Sequence, residues 1–193
     1  TTAWDVSTAS YSNKSFSTAS QAGDYQTKPG FSADGSVMIV SKYSNNVVYQ
    51  YTLSTAWDVS TASYANKSFS LASQLTELMC AYLNADGSKM WAIGTGNDTV
   101  FEYNLSTNND ISTASYNSVS FSVSSQDTNP KDMVFANDDK KLYIVGATNS
   151  SIFQYSTLSS ALATIAYPSS VEFAGGTAPD APANGETDIL SFY

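Results

Sequence analysis

A chain of 193 residues with a net charge of −9, a pI near 4.1 and eight basic residues, all Lys, presents a field of the wrong sign for nucleic acid or an anionic membrane surface. The absence of His removes the commonest general base and metal ligand, and with them every Ser/His or Cys/His nucleophile. Hydrophobic residues at 42 %, aromatics at 13 % and charges at only 13 % describe one β-rich domain with a polar, uncharged surface.

The chain opens on TAWDVSTASYSNKSFS (2–17), which returns as TAWDVSTASYANKSFS (55–70) with only Ser12 exchanged for Ala65. A looser third copy, NNDISTASYNSVSFS, spans 108–122. Trp4 and Trp57 are expected to cover the outer edge of a sheet, and Asp5 and Asp58 to cap a turn. A sugar-binding Trp is the sharper reading, against which Asn109 stands in the third copy.

Further landmarks keep a period of about 52 residues. Gln21, Gln74 and Gln126 each follow a Ser. FSADGSVMIVS from Phe31, LNADGSKMWAIG from Leu83 and FANDDKKLYIVG from Phe135 come next. YQYTLST from Tyr49, FEYNLST from Phe101 and FQYSTLS from Phe153 close the unit.

Each unit carries four predicted strands, typified by MCAYL, KMWAIG, TVFEYNL and NSVSFSVSS. The second is apolar almost throughout, as a strand buried on both faces requires. In the third, Tyr49, Tyr51 and Leu53 alternate with Gln50 on a wetter face, and in the fourth Val119, Phe121 and Val123 alternate with Ser. ADG supplies a tight turn between strands one and two, where Asp138-Asp139 of the third copy implies another geometry.

Four antiparallel strands in about 50 residues predict an all-β fold, a β-propeller of four-stranded blades. The expected division is an outer strand at 1–20, blades at 21–73, 74–125 and 126–158, and a C-terminal linker and β segment at 159–193. Three blades fall short of the usual 4 to 8. Blades beyond the sequence, a ring shared between subunits in a homo-oligomer, and a small three-bladed ring all remain open. No apolar run reaches membrane-spanning length. Thr1 opens inside a repeat, so a window on a longer polypeptide is among the expectations.

Propeller connectivity brings the fourth-to-first and second-to-third strand loops to one face. The candidate ligand-binding residues there are Asp24, Tyr25, Tyr43, Asn45, Glu77, Asn97, Asp98, Asp127, Asn129 and Asn149. Carboxylates, amides and phenols can bind sugar hydroxyls or hold Ca2+, while the plainer explanation is that wet loop tips favour such residues. No cofactor and no catalytic residue is expected; Asp24 with Glu77 acting on a glycoside is the enzymatic alternative. Cys80, in LMCAYL, is expected to be a buried inert thiol.

TAWDVSTASY, DISTASYNSVSFSVSSQDTNP, ADGSKMWAIG and TVFEYNLST resemble the propeller repeats of tail-fibre and other virion proteins of tailed phages. The segment at 167–193, YPSSVEFAGGTAPDAPANGETDILSFY, is similar to a C-terminal module of such proteins. The resemblance implies a non-enzymatic virion module that contacts a host-surface glycan or protein and other virion proteins. A secreted or cell-surface bacterial adhesion propeller is the alternative.

Overall fold

The computed structural model of the protein describes residues 6–23, 26–136 and 140–157. Eleven strands are laid down among them, with short 3-10 turns and no α-helix. β1 (Gln26–Phe31), β2 (Val37–Lys42), β3 (Val47–Leu53) and β4 (Ala62–Ser70) form one antiparallel sheet in chain order. β5 (Leu78–Leu83), β6 (Lys89–Gly94), β7 (Thr99–Leu105) and β8 (Ala114–Ser122) form a second. β9 (Pro130–Ala136), β10 (Lys141–Gly146) and β11 (Ser151–Ser156) form a three-stranded third. The inner strands are neighbours, β1 packing on β5 and β5 on β9. These are blades, and the all-β propeller architecture expected from the repeat is present.

Strand alternation tells the blades which neighbour to meet. In the second sheet Ala81, Leu83, Met90, Ala92 and Tyr103 join Ile39 and Val48 of the first in one core. From the opposite face Cys80, Ile93 and Val100 join Met133, Phe135, Leu142 and Ile144 of the third. A sheet buried on both faces requires the continuous apolar run seen in MWAI. Where no described blade follows, the same run is wet: Val134, Val145 and Ile152 are exposed on the third sheet.

Gln50 departs from expectation. It is buried, because the second blade covers its face, and its Oε1 accepts the N–H of Ile111 at 2.9 Å. Ile111 is itself wholly buried in the joint between the first two blades. Val119 and Phe121 also depart, being about half exposed, while Val123 is buried.

The near-verbatim repeats have structural jobs at each joint. Phe16, Phe69 and Phe121 end their copies of the motif and meet Tyr51, Tyr103 and Tyr155 of the following blade edge-on, with ring centroids 5.3, 5.5 and 5.1 Å apart. The hydroxyls of these tyrosines reach Gln21, Gln74 and Gln126 at 3.4, 3.5 and 3.3 Å, accounting for the periodic Gln. Asp58 and Asp110 cap 3-10 turns by accepting the N–H groups of Ser60 and Ser112, and each also receives a Lys from the preceding repeat. The ion pairs are Lys14–Asp58 and Lys67–Asp110, both 2.7 Å.

Trp57 lies over the ADG turn rather than along a sheet edge. Its backbone adopts φ 65, its N–H donates to the Gly35 carbonyl at 3.0 Å, and its ring leaves no room for a Cβ on Gly35. Asn109 repeats this on Gly87, so a Trp is not essential to the position. Gly35 and Gly87 themselves take φ 70 and 72, and Asp34 and Asp86 accept the N–H groups of Ser36 and Ser88, as the turn reading expected. Trp4, Asp5, Asp138 and Asp139 lie outside the described residues, as does the segment 159–193.

The cap at Asp110 carries a pH dependence with a definite sign. Burial works to raise its carboxyl, but Lys67 and the Ser112 hydroxyl and amide outweigh it and hold the group below its ordinary value. A depressed carboxylate stabilises the fold above its unfolded pKa of about 4 and loses that contribution as pH falls through the lower folded value. Denaturation midpoints measured from neutral to acid pH should therefore show a flattened acid limb in Asp110→Asn. Lys67→Met at neutral pH should cost about 1 kcal/mol, since the pair is part-buried and solvent still reaches both partners.

Candidate functional site

The loop into β5 (71–77) meets the β2–β3 and β6–β7 turns at one end of the sheets. The loop into β9 (123–129) meets the β6–β7 and β10–β11 turns in the same way. Backbone bonds fix this arrangement: Leu71 N–H donates to the Asn46 carbonyl and Val123 N–H to the Asp98 carbonyl, both at 2.8 Å. Gly94 and Gly146, at one repeat position, allow the close approach. A Cβ on Gly94 would collide with the Thr76 carbonyl, and one on Gly146 with the Asp127 carboxyl.

Much of the polarity expected to bind ligand is spent on holding these loops. Asn97 and Asn149 donate from Nδ2 to the carbonyls of Gln74 and Gln126, both at 2.5 Å. Asp127 is only 2 % exposed, and its carboxylate accepts the N–H groups of Asn129, Thr148 and Asn149 at 2.8, 3.3 and 2.9 Å. Burial would raise its pKa, but the amides of Asn149, Asn129 and Thr148 outweigh that and hold it below the ordinary carboxylate value.

Other groups remain available. Glu77 is exposed, sits at φ 58 and accepts the Thr95 hydroxyl at 2.5 Å. Tyr43, on the β2–β3 turn, stands beside it, and burial first and the Glu77 carboxylate second push the phenol up from its ordinary value. Asn45 is exposed on the same turn. Asp98, partly buried at the end of the β6–β7 turn, is raised by desolvation first and by the Asp127 charge second. The described members of the expected set therefore fall into two groups, Tyr43, Asn45, Glu77 and Asn97 around the loop into β5, and Asp98, Asp127, Asn129 and Asn149 around the loop into β9. Asp24 and Tyr25 lie outside the described residues.

Thr95, which orients Glu77, has no distinguishing feature in the sequence. The periodic Gly94 and Gly146 beside it do, because a glycine repeated at a strand end signals close backbone approach. On the inner wall, Lys28, Cys80 and Asp132 occupy one position in three successive inner strands. Lys28 Nζ donates to Asp132 Oδ1 at 2.6 Å and to the Met133 carbonyl at 3.0 Å. Cys80 is 1 % exposed, and burial pushes its thiol up to about 12, so it is an inert core group as expected. Among the described residues no group of three or more His, Cys, Asp or Glu is placed to hold a metal ion.

Antiparallel blades packed face to face, with polar loops gathered at one end, define a β-propeller. The family model "Lactonase, 7-bladed beta-propeller" matches residues 1–183, and the chain belongs to that family. The search of curated proteins found no match.

Among solved structures, the chain is similar to a functionally unknown protein from Desulfotomaculum acetoxidans, with TM-score 0.51 and 15 % identity over 68 % of this chain and 39 % of that one. It is also similar to candidate 6-phosphogluconolactonases from Bacteroides uniformis and Bacteroides fragilis. Their TM-scores are both 0.49, at 14 and 16 % identity over 70 % of this chain and 38 and 39 % of theirs. These likenesses are of fold. The chain spans about two fifths of the length of these structures.

Family membership corrects three expectations. The resemblance to phage tail-fibre repeats gives way to the lactonase propeller family, which covers nearly the whole chain. Residues that carried that resemblance, Trp57, Asp58, Asp110 and Phe121, hold turns and joints, and such packing carries no information about a virion. The non-enzymatic virion module and the expectation of no enzyme are overturned by the same match, and the enzymatic alternative lies nearer. Lack of His removes nucleophilic triads, but water can open a cyclic ester with carboxyl groups as acid and base.

Proposed function

We propose that this chain supplies three consecutive blades of a lactonase-type propeller enzyme that opens a cyclic ester by adding water at the loop face. The observation that carries the proposal is the family match over residues 1–183. In the reaction the water oxygen bonds to the carbonyl carbon, the bond from that carbon to the ring oxygen breaks, and the ring oxygen leaves as an alcohol. Glu77, exposed and oriented by Thr95 beside Tyr43, is the described carboxylate proposed to take the proton from the attacking water. The acidic face these blades present, in a sequence without Arg, favours a sugar lactone that bears no phosphate.

A pH-stat assay of acid release tests this on a panel of γ- and δ-lactones of sugars, with a phosphorylated sugar lactone for comparison. Turnover above the spontaneous rate is expected for an unphosphorylated lactone, with Glu77→Gln lowering kcat by about 10²–10⁴-fold, as loss of a general base does. Release no faster than in protein-free buffer across the panel would overturn the proposal.

A further inference from the structure

Each second-to-third-strand turn ends on a left-handed residue, Asn46 at φ 56, Asp98 at φ 48 and Ser150 at φ 50, and these three share one repeat position. At the first joint the side chain has a clear task. Asn46 Oδ1 accepts the N–H of Leu78, the first residue of β5, at 2.8 Å. At the second joint the place of Leu78 is taken by Pro130, the first residue of β9, and proline has no N–H to donate. Asp98 faces this joint in the place of Asn46, and its Oδ1 is buried with no hydrogen-bond partner among the described residues.

An unpaired buried carboxylate oxygen is costly, and here a second charge adds to the cost. Asp127, on the loop leading into β9, is the charged group that acts on Asp98, and its own charge is secured by three backbone amides. Two carboxyls whose surroundings push them in opposite directions favour different protonation states, and of this pair Asp98 is the one left able to donate. Desolvation and the Asp127 charge both favour a proton on Asp98, whereas the amide cradle favours none on Asp127. A proton on Asp98 relieves the repulsion from the Asp127 charge and turns an orphaned acceptor into a donor.

We propose that Asp98 is the acid of this face, delivering its proton to the ring oxygen as the carbonyl carbon–ring oxygen bond of the substrate breaks. The role rests on the lactone-opening reading above. The alcohol leaves with that proton, and the cycle closes when the Asp98 carboxylate takes a proton from solvent and Glu77 releases to solvent the one it took from the attacking water. The substitution of proline for an N–H donor at position 130 converts a structural amide contact into a proton-carrying one.

Carbon-detected NMR titration of the side-chain carboxyls, on the whole protein, reads this without turnover. Asp98 should titrate above the free-peptide aspartate value and Asp127 below it. Pro130→Leu, which restores the residue type and N–H of the first joint, should lower the Asp98 midpoint, and Asp127→Asn should lower it independently if the leucine variant does not fold. An Asp98 midpoint at or below the free-peptide value, or one that neither substitution moves, overturns the proposal.

The kinetic arm separates the two readings. Asp98→Asn should lower kcat for lactone opening by about 10²–10⁴-fold and remove the alkaline limb of the pH–rate profile. If Asp98→Asn opens lactones as fast as the parent, the acid role fails while the lactone reading stands. If the parent opens no lactone at all, the lactone reading fails and the acid role falls with it.

Discussion

Ile111→Ala should lower the unfolding free energy by about 2–5 kcal/mol, a large share of the roughly 5–15 kcal/mol that holds a typical domain together. Ile111 is wholly buried between the first two blades, and its backbone N–H is bound by the buried Gln50 carboxamide, so neighbouring strands have little freedom to close over the cavity. Ile111→Val, which removes a single methylene, should cost only about 0.5–1.5 kcal/mol. Urea denaturation of the two variants provides the check. Equal, small losses would mean that the 111 loop is not a joint between blades.

Gly94→Ala couples stability to the site. The added Cβ would collide with the Thr76 carbonyl oxygen and lie 2.9 Å from that of Glu77, and neither is the yielding tip of a side chain. The loop into β5 must therefore move, at a cost of about 1–3 kcal/mol for overpacking. Because that loop carries Glu77 at a left-handed φ of 58, the shift also misaims the carboxylate, and a displacement on the order of 1 Å costs roughly 10²-fold in rate. The expected result is a lower denaturation midpoint together with a lower kcat at temperatures where the variant is still folded. A variant that loses stability but keeps full kcat would remove Glu77 from the reaction.

Most of the architecture was legible because the repeat is close to verbatim and strand alternation is a local signal. Runs such as MWAI announced strands buried on both sides, and ADG announced its turn together with the glycine at positive φ. Gln50 was misread because alternation reports which residues share a face, but not whether another blade covers the polar one. Trp57 was misread for a related reason: its partner, Gly35, is 22 positions away, and only folding shows that its ring rests on that turn.

The site was less legible. Loop tips rich in Asp and Asn look alike whether they bind a ligand or bind their own backbone, and Asp127, Asn97 and Asn149 turned out to do the latter. The informative signal was a broken repeat. Leu78 gives way to Pro130 opposite Asp98, and the consequence appears only when the hydrogen bond of the first joint is seen to have no counterpart at the second.

TAWDVSTASY and its copies suggested a virion, but their residues cap and cover turns in the blades. Membership of the lactonase propellers follows from the match along residues 1–183.

The most direct test of lactone opening at this face is mass spectrometry of the products formed from an unphosphorylated sugar δ-lactone in 18O-labelled water. The account predicts a hydroxy acid formed faster than in the protein-free control, with one labelled oxygen in its carboxyl group, and a rate that falls to the control in the Glu77→Gln, Asp98→Asn double variant. Product at the protein-free rate, or a rate indifferent to both substitutions, would contradict it.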